Sequence, residues 1–171
     1  MTTQAPETPG LSLYTPEQRR RRDASPWTLV QGVLAPLQFL IFLVSLVLVV
    51  NYLVSGSGLA AATASVVVKT LVLYAIMITG AIWEKAVFGK YLFAPAFYWE
   101  DMVSMLVIAL HTAYLASWLL DLFTPAGQLS IALAAYAAYV VNAAQFLLKL
   151  RAARLEQEAT VQPGALAGAA E

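Results

Sequence analysis

The chain has 171 residues, of which 60% are hydrophobic and 12% charged, with a mean hydropathy of +0.71. That balance is too apolar for an ordinary water-soluble domain and points to a membrane protein without a separate soluble part. Its 10 basic and 10 acidic residues cancel, which removes the general case for a nucleic-acid partner, and the lack of cysteine excludes disulfides, thiolate chemistry and cysteine-ligated metal clusters.

Residues 1–26 are polar and proline-containing, and are expected to form a partly disordered tail, loose to about Leu13, that carries the arginine run at 19–22. Basic residues ahead of an apolar run also open a signal peptide. The run from Trp27 is, however, far longer than the roughly 7–15 residues of a signal core, so it reads as an uncleaved first span. Four apolar runs follow, at 27–54, 60–82, 102–122 and 129–148. Each approaches or exceeds the roughly 20 helical residues that cross a hydrocarbon layer about 30 Å thick. In lipid each backbone polar group must be satisfied within its own segment, so the runs should be helices. The expected fold is all-α, an integral membrane bundle of four transmembrane helices in one domain at 27–150, with a flexible tail at 151–171.

Nine of the ten Lys/Arg fall before the first span, between the second and third, or after the fourth, and none in the other two connections. The positive-inside rule then places both termini in the cytoplasm.

Along the first span, Gln31, Gln38, Ser45 and Tyr52 recur every seven residues, a slowly drifting stripe that either bonds neighbouring helices or lines a cavity. Pro36 is expected to kink this helix. The second span carries Lys69 and the third His111, each roughly half way along. Placing an ionisable group so deep costs several kcal/mol, and such groups usually face the bundle interior and mark a functional site. At the helical rise, Lys69 lies about 20 Å and His111 about 14–16 Å from the same boundary, so the two stand at similar depth. Lys69 reads either as a structural ion pair or hydrogen-bond donor, or as the partner of an anionic substrate group or a proton path. His111 reads either as a satisfied interior residue or as an acid–base group or axial ligand of a metal held in a tetrapyrrole. With one histidine and no Glu-x-x-His pair, a free zinc or di-iron site is disfavoured.

The connection at 83–101 (WEKAVFGKYLFAPAFYWED) carries seven aromatics, Trp83, Phe88, Tyr91, Phe93, Phe97, Tyr98 and Trp99, among Glu84, Lys85, Lys90, Glu100 and Asp101. It is either an aromatic interface belt or a cradle for a large hydrophobic ligand with polar edges. The carboxylates either end helices at the boundary or act as proton donors and acceptors in a partly buried pocket. The fourth span adds Tyr136, Tyr139, Asn142 and Gln145, with Lys149 placed to snorkel to the interface.

Two blocks, LYTPEQRRRRDASPWTLVQGVLAPLQF at 13–39 and TASVVVKTLVLYAIMITGAIWEKAVFGKYLFAPAFYWEDMVSMLVIALHTAYL at 63–115, resemble the 2-vinyl bacteriochlorophyllide hydratases of phototrophic bacteria. They span about half the chain, and the fourth span and alanine-rich tail contribute little. The resemblance implies a multi-pass enzyme of the bacterial inner (intracytoplasmic) membrane. It would add water to the C3-vinyl group of a chlorophyllide or bacteriochlorophyllide, giving a 1-hydroxyethyl group, during bacteriochlorophyll a synthesis. The implied partners are that pigment, the lipid bilayer and other enzymes of the pathway, with no nucleic acid and no redox cofactor.

On that footing the catalytic candidates are Glu100 and Asp101 as acid and base, then Glu84, with His111 as proton shuttle or axial contact to the substrate magnesium. Lys69 or Lys90 would pair with the propionate, and Trp83, Tyr91, Phe97, Tyr98 and Trp99 would cradle the ring. A non-enzymatic pigment-binding or scaffolding protein of the photosynthetic apparatus is the competing reading. A small transporter is the next, weakened by the lack of an internal repeat.

Overall fold

The structure, a computed structural model, describes residues 13–167, with side chains described as far as Leu155. Five helices and no strand appear among them: α1 Pro16–Ala24, α2 Pro26–Ser55, α3 Leu59–Phe88, α4 Tyr98–Leu119 and α5 Pro125–Ala167. Four of these, α2 to α5, are long and apolar enough to cross a membrane, which matches the four expected spans.

The basic leader is structured from Thr15 onward. Thr15 and Gln18 close a reciprocal capping box, with Pro16 preset for the first helical turn. The expectation of disorder before Leu13 falls outside the described residues. α1 packs against α3, where Tyr14 stacks on Phe88 at 5.7 Å beneath the Arg22 guanidinium, 4.8 Å from its ring centre. Burial pushes the Tyr14 phenol above its ordinary range, and Arg22 opposes the shift.

The helix ends differ from the ends of the apolar runs. α3 continues six residues past the expected boundary at 82, because WEKAVF contains no helix breaker, and stops where Gly89 adopts φ +81°. α4 begins at Tyr98 instead of 102. Both shifts put charged residues inside helices: Glu84 in the last turns of α3, Glu100 and Asp101 in the first turn of α4. Pro36 lies within α2, which stays a single helix. α5 continues as helix to Ala167, through most of the segment expected as a tail, and the last four residues of that tail lie outside the described residues.

The bundle is two antiparallel hairpins, α2 on α3 and α4 on α5, packed mainly through α2 on α5. Phe42, Val49, Val66, Leu73, Val107 and Leu129 form the mid-bundle core. A smaller cluster of Tyr14, Val87 and Phe97 closes the end that carries the basic residues, here called the basic end. Outward-facing Leu40, Val47, Leu71, Ile78 and Leu106 remain exposed, as suits a lipid-facing surface.

Two members of the seven-residue stripe of α2, Gln31 and Ser45, bond neighbouring helices. Gln31 Nε2 donates to Thr79 Oγ1 at 2.7 Å. Ser45 Oγ lies 2.5 Å from Tyr136 Oη and 2.7 Å from Ser65 Oγ, and Ser65 donates to the Ala62 carbonyl. That carbonyl can only accept and each hydroxyl has one hydrogen, so the chain runs Tyr136 to Ser45 to Ser65 to Ala62. It ties α5, α2 and α3 together. Interhelical bonds in lipid are worth about 0.6 kcal/mol each, with a maximum of about 1.7. Ser45→Ala removes both interhelical links and should therefore cost about 1 kcal/mol in detergent unfolding, and Tyr136→Phe on top of it should add little, since its acceptor is already gone.

Candidate active site

At the basic end, α3 leaves and α4 enters through the short loop at 90–97, and their terminal turns bring Glu84 and Asp101 together. The two carboxyl groups are near neighbours and interact electrostatically. Two buried carboxyls held this close resist double ionisation, so the pair is suited to sharing one proton. Both side chains are buried, at 5% and 3% exposure.

The loop fixes them from above. Phe93 N–H donates to Asp101 Oδ2 at 2.7 Å, and Ala94 N–H to Glu84 Oε2 at 3.3 Å. Phe93 has φ +59°, a left-handed backbone rarely adopted by a bulky residue. Backbone strain of this kind concentrates at functional sites; here it turns an amide onto a carboxylate.

Glu100, one residue from Asp101, faces another helix. Its Oε2 lies 2.6 Å from Lys149 Nζ of α5, which also donates to the Ala96 carbonyl. Asn142 Nδ2 donates to the Glu100 carbonyl at 2.9 Å and to Ser104 Oγ at 3.0 Å. Glu100 is thus held in an ion pair that joins α4 to α5, while Asp101 faces α3.

The expected aromatic cradle divides in two. Trp83 and Phe97 belong to the packing: Phe97 is 2% exposed, stacks on Phe146 at 5.8 Å and meets Trp83 edge-on at 5.6 Å, while Trp83 Nε1 donates to Thr28 Oγ1 at 3.0 Å. Tyr91, Phe93, Tyr98 and Trp99 are exposed. Phe93 lies 5.7 Å from Tyr98, and Tyr98 5.6 Å from Trp99, a run of adjoining rings beside the carboxyl pair. Lys85 sits 5.4 Å over Tyr91 and donates to the Gly89 carbonyl at 2.9 Å; Lys90 is exposed in the loop.

Lys69 and His111 are elsewhere. Fifteen residues separate Lys69 from Glu84 on α3, about 22 Å of helix, and ten separate His111 from Asp101 on α4, about 15 Å. Both are 0% exposed and enclosed by the four spans. A macrocycle about a nanometre across has no approach to either without opening the bundle. Among the described residues no cluster of three His, Asp or Glu could hold a metal ion.

The structure therefore joins Glu84 with Asp101 and sets Glu100 and His111 apart from them. Phe93, Ala94 and Lys149 carry contacts that the sequence did not single out. A left-handed phenylalanine has no sequence signature, and the Lys149 partnership spans 49 residues.

Two stability measurements check this geometry. Phe93→Gly relieves the left-handed strain and should raise stability by up to about 1 kcal/mol, whereas Phe93→Pro deletes the amide and should lose about 3 kcal/mol. Lys149→Met strands a buried carboxylate and should cost about 3 kcal/mol, much of it recovered when Glu100→Gln is added.

The comparisons with known proteins bear on the whole chain. A family model described as 2-vinyl bacteriochlorophyllide hydratase matches residues 14–152. A protein of Cereibacter sphaeroides with that name is 65% identical over 160 residues, covering 93% of this chain and 99% of the relative. One of Rhodobacter capsulatus with the same name is 67% identical over 146 residues, covering 85% of this chain and 84% of the relative. No solved structure matches.

Proposed function

This chain belongs to the 2-vinyl bacteriochlorophyllide hydratase family, and we propose that the Glu84–Asp101 pair carries the hydration. The enzyme is a hydro-lyase of bacteriochlorophyll synthesis that adds water to the vinyl group of a chlorophyllide-type macrocycle. The observation that supports the site most directly is a buried carboxyl pair, braced by two loop amides, beside exposed, adjoining aromatic rings.

The chemistry needs an acid, a water and a base. The protonated carboxyl gives its hydrogen to the terminal vinyl carbon, which breaks the vinyl π bond and leaves a cation on the ring-attached carbon, delocalised into the macrocycle. Water attacks that carbon, and its surplus proton passes to the partner carboxylate. The pair ends each turnover with one proton, as it began. Amides of Phe93 and Ala94 hold one oxygen of each carboxyl, leaving the others for the proton and the water. Phe93, Tyr98 and Trp99 offer faces on which a flat apolar ring lies with its vinyl edge toward the pair. Lys90, exposed in the same loop, takes the propionate. Lys69 and His111 take no part in pigment contact.

The basic end faces the cytoplasm, since it gathers nine of the ten Lys/Arg. The bundle is then one domain of the bacterial inner membrane, with the reaction at its cytoplasmic rim. Other enzymes of the pathway would deliver and remove pigment on that side.

The decisive experiment supplies chlorophyllide a to membranes containing only this protein, in water enriched in oxygen-18. One labelled water should appear in a product whose red band is blue-shifted by loss of vinyl conjugation. Pigment that binds without conversion would instead favour a pigment-binding role. Glu84→Gln and Asp101→Asn should each lower turnover by about 10²-fold or more with pigment binding retained, and Glu100→Gln should leave the rate nearer wild type. Turnover should also fall on both sides of a pH optimum, because double protonation removes the base and double ionisation removes the acid.

A further inference from the structure

A second polar site lies half way along the bundle and takes no part in the hydration chemistry. Lys69 of α3 and His111 of α4 are 0% exposed, and Gln38 of α2 is 1% exposed. Lys69 Nζ, His111 Nε2 and both polar atoms of the Gln38 amide have no hydrogen-bond partner among the described residues. Lys69 and His111 meet at one aromatic layer, and Gln38 lies one helical turn from it on α2. Lys69 Nζ stands 4.0 Å from the ring centre of Tyr139, 5.3 Å from that of Tyr136 and 5.8 Å from that of Phe42. His111 packs on the same Tyr136 ring at 5.9 Å, and Gln38 precedes Phe42 by one turn.

The hydrogen-bond sense of these atoms selects their ligand. His111 Nδ1 lies 2.8 Å from the Val107 carbonyl, which only accepts, so Nδ1 carries a hydrogen and Nε2 of the neutral ring offers a lone pair. The lysine ammonium offers three hydrogens and no acceptor. An anion would answer the lysine but leave Nε2 without a donor. A metal ion would answer Nε2 but meet the lysine's charge. Water answers both, accepting from one and donating to the other, and buried water is found where several polar groups lack protein partners. On its other side the ammonium is held by aromatic faces, so no carboxylate is needed.

We propose that Lys69, His111 and Gln38 form an internal water site, in which a water bridges Lys69 Nζ to His111 Nε2. The Gln38 amide brackets it from α2, and the Tyr136 and Tyr139 rings close it from α5. The site ties the four spans together at one level and stabilises an interior lysine without a counter-ion. It does not depend on the assignment of the carboxyl pair.

The chain has one histidine, so nitrogen-15 labelling of histidine gives one unambiguous pair of ring signals. The full chain in phospholipid nanodiscs would be studied by solid-state NMR. The Nε2 signal should show the upfield shift of a hydrogen-bonded acceptor, with magnetisation transferred to it from water protons and unchanged when chloride is replaced by gluconate. In Lys69→Met the shift and the transfer should both weaken. A bare Nε2 without transfer from water would overturn the proposal. So would a direct coupling between a lysine Nζ and Nε2, or a signal that follows the chloride concentration. If Lys69→Met fails to fold, the wild-type shift, water transfer and absence of direct lysine coupling decide the matter alone.

Discussion

The cost of taking charge out of water governs where nearly every ionisable side chain of this protein lies. An apolar bundle has little to offer a charge except another charge, a backbone amide or an aromatic face. Each of these is found among the buried ionisable groups. Glu100 takes the Lys149 ammonium. Glu84 and Asp101 take each other and two loop amides. Lys69 takes three aromatic rings. These solutions differ in what they leave over. The ion pair leaves neither partner free, while two adjoining carboxyls can share a transferable proton, and that difference is why Asp101 and not its neighbour Glu100 is proposed as the reactive group.

Much of this was legible in the chain. Apolar runs announce spans because lipid allows few other readings, and all four are present. The similar depth of Lys69 and His111 follows from the helical rise alone, and both face the Tyr136 ring. The ends of the helices were not legible, because hydrophobicity reports where lipid ends and not where hydrogen bonding ends. α3 therefore carries Glu84 inside its last turns although the apolar run stops before it. The partners of Glu100 and Asp101 were hidden for a related reason. Adjacent residues on a helix point about 100° apart, so the two carboxylates address different neighbours, α5 and α3. Phe97 shows the same limit: an aromatic in an interface loop reads as a ligand contact until the packing against Phe146 is known.

Location then connects fold to chemistry. Hydration consumes water and shuttles a proton, so its machinery is best placed where the pigment's apolar body can stay in lipid while its reactive edge meets water. A loop at the end of two spans offers that boundary. Its backbone amides are free to point at side chains because the loop is not helical, and Phe93 uses that freedom in a conformation a helix could not supply. The mid-bundle layer, by contrast, is dry on its lipid side and enclosed on all others, which suits a fixed water and not a consumed one. Had the acid and base stood at the depth of His111, every turnover would have required a water to travel about 15 Å through packed side chains. The protein separates two kinds of polarity along one helix: α4 carries in its first turn the carboxyl proposed to react and, ten residues on, the buried histidine of the mid-bundle layer.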